Sequence, residues 1–95
     1  MPFFERRNVR INASDLALLE GFLHKDIVFY FIRRVDVVAN GQLIFFSKNM
    51  VVYVIIWLQK QAAQLGRKFF ELSFQQKKEL VDKLISSGQL DLIKK

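Results

Sequence analysis

Cysteine and threonine are absent from the 95 residues, histidine and proline each occur once, and glycine occurs four times. Each scarcity removes a class of chemistry or architecture. Without cysteine there is no disulfide framework, no thiolate-held zinc, no iron–sulfur cluster and no thiol nucleophile. A single imidazole, His24, leaves out most multi-histidine metal sites and any two-histidine acid/base pair. So little glycine and proline excludes a collagen-like or linker sequence, and a hydrophobic content of 52% excludes an intrinsically disordered chain. Acids are the scarcer charge: nine Asp+Glu face fifteen Lys+Arg, for a net charge of +6. That balance favours encounter with anionic partners, whether nucleic acid or acidic protein surfaces.

Long apolar runs are also missing. The opening MPFFERRNVR has no extended apolar stretch of the kind a secretory leader carries. The most apolar stretch, residues 50–58, falls far short of the roughly 20 residues a membrane span needs. The expectation is a single domain over residues 1–95, cytoplasmic and without a membrane span.

Five elements can be read along the chain. Val9 and Ile11 alternate around Arg10, which suits a short N-terminal strand within residues 3–11. Asn12 or Ser14 is placed to cap a following helix, with Asp15 adding favourable charge to its first turn. Leu16, Leu19, Phe22 and Leu23 recur at helical spacing, and that helix should end near His24 or Lys25. Residues 27–38, IVFYFIRRVDVV, are rich in β-branched and aromatic side chains and read as a strand. Asn40-Gly41 then tolerates the positive φ of a type I′ turn, and QLIFFS returns as its partner, with Val37 opposite Ile44 and Val35 opposite Phe46. Both faces of this hairpin are apolar, more than a two-stranded ribbon can cover by itself. The rival reading makes residues 14–39 one long buried helix.

Ser47 or Asn49 can cap the next helix, whose stripe is Val51, Val54, Ile55, Leu58, Ala62 and Leu65, ended by Gly66. Residues 67–72 connect, with Phe69 and Phe70 packing inward. Ser73 and Gln76 form an S-x-x-Q capping box for a last helix to about Ser86, with Lys77 snorkelling from its apolar arc. The order (β)-α-β-β-α-α describes a small α+β domain, an antiparallel hairpin packed with about three helices and a possible third N-terminal strand. The alternative is all-α.

Chemistry-bearing patterns are sparse. The serines, at positions 14, 47, 73, 86 and 87, sit at helix ends, and His24 ends a helix, so no nucleophile–base pair is marked. Asp15, Glu20, Asp26 and Asp36 are spread over three elements, and Asp36 has Arg34 near it as a structural ion-pair partner. No glycine-rich phosphate loop, metal-ligand spacing or RNA-recognition signature occurs. The expectation is therefore a protein that is not an enzyme, with no cofactor, no metal and no small-molecule substrate.

Two partner classes remain. Basic pairs place Arg6, Arg7, Arg10, Arg33, Arg34, Arg67 and Lys68 as a nucleic-acid surface, provided they gather on one face. Against this stands a surplus of apolar surface. Val52, Tyr53, Ile56 and Trp57 lie outside the stripe of the middle helix, and aromatic residues with Arg dominate interface hot spots. The favoured expectation is an interaction or regulatory protein that contacts a protein partner through Val52, Tyr53, Ile56 and Trp57 with Arg33 and Arg34 at the rim. A homodimer is its simplest form. The bland competitor is a filled monomeric core with the middle helix covered on both sides.

Overall fold

The N-terminal alternation opens a three-stranded sheet. The computed structural model describes residues 3–6 and 8–90, with side chains from Asn8 onward. Strand β1 (Phe3–Arg6) pairs antiparallel with β2 (Val9–Asn12), Phe3 opposite Asn12 and Arg6 opposite Val9. In β2 the period of two buries Val9 and Ile11 and leaves Arg10 half-buried. The third strand, β3 (Ile44–Phe46), lies parallel to β2, with Val9 opposite Ile44 and Ile11 opposite Phe46.

Among the described residues there are four helices, α1 (Ala13–Leu23), α2 (Lys25–Ala39), α3 (Lys48–Gln64) and α4 (Phe74–Ser86), with a 3₁₀ turn at Phe69–Glu71, and the first three pack against the sheet. Packing closes the helices into a ring in the order α1, α2, α4, α3, back to α1. The ring has two opposite seams that matter below, one between α1 and α3 and one between α2 and α4. Phe31 of α2 meets Phe46 of β3 in the centre, ring centroids 5.6 Å apart, joining the sheet to the helices. The α+β class therefore holds, but the fold is mostly helical.

The predicted hairpin is the main correction. Residues 27–38 are helix, not strand. Their buried members, Ile27, Val28, Phe31, Ile32, Val35 and Ala39, fall within about 140° of arc at 100° per residue. Strand alternation would have grouped Phe29, Phe31, Val35 and Val37. Instead Phe31 and Val35 are buried, while Phe29 and Val37 are 46% and 66% exposed. Tertiary burial of one helical face overrides the β propensity of the individual residues. Asn40 and Gly41 do take positive φ, 52° and 88°, as a type I′ turn requires. Here the left-handed pair ends α2 instead, with the Asn40 amide donating to the Val37 carbonyl. The chain then leaves α2, and the Ile44 amide donates to the Asn8 carbonyl at 2.7 Å.

Nor is residues 14–39 one long helix. His24 breaks it at φ 102°, ψ 141°, serving as C-cap of α1 and N-cap of α2. The capping signals of α3 and α4 behave as read, and that of α1 does not. Ser47 Oγ accepts the Met50 amide, and Ser73 with Gln76 forms the reciprocal box. Asn12 occupies the N-cap of α1 without a side-chain bond, and Asp15 is buried in that first turn. Of the two connecting phenylalanines only Phe69 is buried. Phe70 is 55% exposed.

Candidate interaction site

Helices α1 and α3 pack side by side and leave a depression along their outer seam. Between them lie two adjoining concavities, of about 430 Å³ and about 280 Å³, which share Phe22 and Gln59. The smaller is walled by Leu18, Val52, Ile55 and Ile56, and the larger by Gly21, Ala63, Phe69 and Phe70. Together they make one channel along the seam. Its far end carries Arg67 and Lys68, which follow Gly66 where α3 terminates.

The local sequence explains why the seam stays open. In α1 only Asp15, Leu19 and Leu23 turn fully inward, so Leu18, Gly21 and Phe22 fall at the edge of the packed face. In α3 the buried row is Val51, Val54, Ile55, Leu58 and Ala62, and Val52 and Ile56 stand one row outward. Where a larger residue could bridge the helices, the chain has Gly21 and Ala63. The result is exposed apolar surface on both walls: Phe22 is 46% and Ile56 48% exposed.

The structure divides the residues singled out by sequence. Val52 and Ile56 line the channel. Tyr53 lies off the channel, its hydroxyl donating to Gln89 Oε1 just past α4, and Trp57 is half-buried against the core. Arg33 and Arg34 are not at this rim. They belong to α2, on the opposite seam. There Asp82 Oδ1 accepts from the Tyr30 hydroxyl at 2.7 Å and lies 3.3 Å from Arg34 Nε, close enough for charge attraction but off the line of a hydrogen bond. Asp82, not Asp36, is thus the partner of Arg34, because residues two apart on a helix do not face each other. Asp36 accepts the Asn8 amide at 3.3 Å.

That opposite seam is bridged by side chains. Lys78 Nζ sits 5.8 Å over the Tyr30 ring and 5.1 Å over the Phe74 ring, joining α4 to α2. The Tyr30 hydroxyl is held above the usual phenol range. Burial is the first cause, followed by its bond to the Asp82 carboxylate and that carboxylate's charge, while Arg34 and Arg33 pull the other way.

The described cations read as a nucleic-acid surface lie on different elements. Arg10 is on the sheet, Arg33 and Arg34 on α2, and Arg67 and Lys68 at the end of the α1–α3 channel. Arg6 is a residue of β1, and Arg7 lies outside the described residues. The serine hydroxyls serve helix ends: Ser86 and Ser87 donate to the Lys83 and Leu84 carbonyls. His24 Nδ1 lies 3.6 Å from Asp26 Oδ1 at the surface. Among the described residues, no group of three or more His, Asp or Glu could hold a metal ion, and no helix is long and apolar enough to cross a membrane.

Comparison with protein families, curated proteins and solved structures finds no match to this chain.

Sequence reasoning missed half of the channel. Phe22 and Phe70 read as core because each is an apolar residue at a packing-compatible position. The available signal was Gly21, the one glycine inside an otherwise helical run. Its neighbour Phe22 is the channel's shared wall.

Proposed function

We propose that the protein is a non-enzymatic interaction module that docks a protein partner in the channel between α1 and α3. The observation that carries this reading is the channel itself. It is a continuous apolar depression with wall residues from both helices open to water, and cations at one end. Exposed apolar surface of this kind is unfavourable unless something covers it, and contiguous patches of it mark contact sites. Val52 and Ile56, read from the sequence as surplus, are members of this surface, while Tyr53 and Trp57 are neighbours on the far side of α3. Self-association through the same channel is the simplest variant, since a two-fold contact needs only one self-complementary patch.

The test uses displayed random peptides selected on the full chain and counter-selected on Ile56→Glu. Ile56 is half exposed, so the substitution leaves the buried row of α3 intact. Binders that survive counter-selection, or a concentration-dependent dimer that Ile56→Glu dissolves, support the reading. A strict monomer that enriches no such peptide overturns it.

A further inference from the structure

We infer, resting on the docking reading above, that the occupant of the channel is an amphipathic helix from another protein, with carboxylates at the end that meets Arg67 and Lys68. Three observations lead there. The first is charge. Among the described residues, Arg67 and Lys68 are the only charged ones lining the channel. Glu71, the acid nearest them in sequence, is turned onto the Lys68 backbone, its Oε1 accepting that amide at 2.8 Å. The Lys68 ammonium lies over the Phe70 ring at 6.0 Å, at the boundary between the apolar wall and water. An apolar segment ending in acids therefore matches the channel along its whole length, whereas a second copy brings another +6 chain and the same two cations.

The second observation is length. The α3 wall runs from Val52 to Ala63, about 16 Å at a helical rise of 1.5 Å per residue, which is three turns of a helix laid alongside. The third is Gly21. Glycine inside a helix is destabilising, and a Cβ built on Gly21 meets nothing within 4 Å, so the packing of the free protein has no use for its absence. With Ala63 on the facing wall, it leaves a place where another backbone can come close.

The experiment selects displayed peptides of about 12 residues, three turns of helix, on the full chain. Enriched sequences should carry apolar residues at i, i+4 and i+7 and gather Asp or Glu at one end. A consensus peptide should bind the Arg67→Glu/Lys68→Glu variant roughly fivefold to tenfold more weakly, as expected for losing two solvent-exposed ion pairs. Its Lys-ended counterpart should recover on that variant. Gly21→Leu should melt at or above the wild-type temperature yet lose the peptide. Enriched peptides without acidic bias, or equal binding by the double-Glu variant, overturn the acidic helix while leaving the channel as a docking site. Dimerisation abolished by Ile56→Glu replaces the foreign helix by a second copy and also overturns it. Dodecanoate binding with no peptide enriched assigns the channel to a small amphiphile and overturns both readings.

Discussion

The two opposite seams of the helix ring are built from the same number of helices and finish in opposite ways. Between α2 and α4, Tyr30 reaches Asp82, Arg34 lies against the same oxygen, and Lys78 bridges two aromatic rings. Between α1 and α3, Gly21 and Ala63 both line the larger concavity, with Phe22, Phe69 and Phe70 among its walls. Long amphipathic side chains that meet a charge partner close a gap, while small residues keep one open. The side chains at each seam thus differ in what they can span.

The largest expected effect separates core from wall. Phe31→Ala, deep on α2 and in contact with Phe46, should cost about 3–5 kcal/mol in a urea unfolding measurement. Phe22→Ala, the same change on the channel wall, should cost under about 1 kcal/mol, because half of that ring already faces water. Equal losses would mean that Phe22 is structural and that the seam is packed.

Next comes the bridged seam. Tyr30→Phe removes the hydrogen bond to Asp82 and should cost about 1 kcal/mol at neutral pH. The same bond gives a pH signature. Since the folded hydroxyl titrates above the ordinary value of 10.0, its contribution is fully present below that pH and is lost as pH rises through the raised folded value. Unfolding from pH 8 to 11 should therefore show an alkaline decline in the wild type that is smaller in Tyr30→Phe. Parallel profiles would remove Asp82 from the account of this seam.

The hinge between the seams is His24, where α1 passes into α2. Its φ of 102° with ψ of 141° is a conformation glycine adopts readily and other residues rarely do. His24→Gly should raise stability by about 1 kcal/mol, read as a higher urea midpoint. A drop would mean that the ring's contact with Asp26 outweighs the backbone term.

The contrast also explains what was legible. Ser47, Ser73, Gln76 and the α3 stripe from Val51 to Ala62 are local signals and legible, because caps and periodicity depend only on near neighbours, whereas Leu65, the expected last member of the stripe, falls past the helix end and is 55% exposed. In residues 27–38 six consecutive apolar residues, Ile27 to Ile32, erase the helical period. It emerges only when Arg33, Arg34 and Asp36 fall on the outer arc. Asn40-Gly41 takes the left-handed conformation its sequence implies without making a hairpin, since left-handed residues serve a helix end as well. Val52 and Ile56 could be found as apolar residues beyond one stripe. Their meeting with Phe22 and with Arg67 and Lys68 could not, because it is set by the closure of the helix ring, a contact between distant parts of the chain.

Gly21→Ala is the smallest expected effect and the sharpest test of why one seam is open. In the interior of α1 the change should stabilise the free protein by about 0.5–1 kcal/mol, because alanine loses less backbone entropy on folding and its methyl group meets no atom. If the glycine serves only the fold, stability should fall on substitution, since some packing must then need the missing side chain. If it serves a docked backbone, stability should rise while binding to the channel weakens. The two quantities move in opposite directions only when the open seam is a site, and a thermal melt beside a peptide titration on the same variant separates the cases.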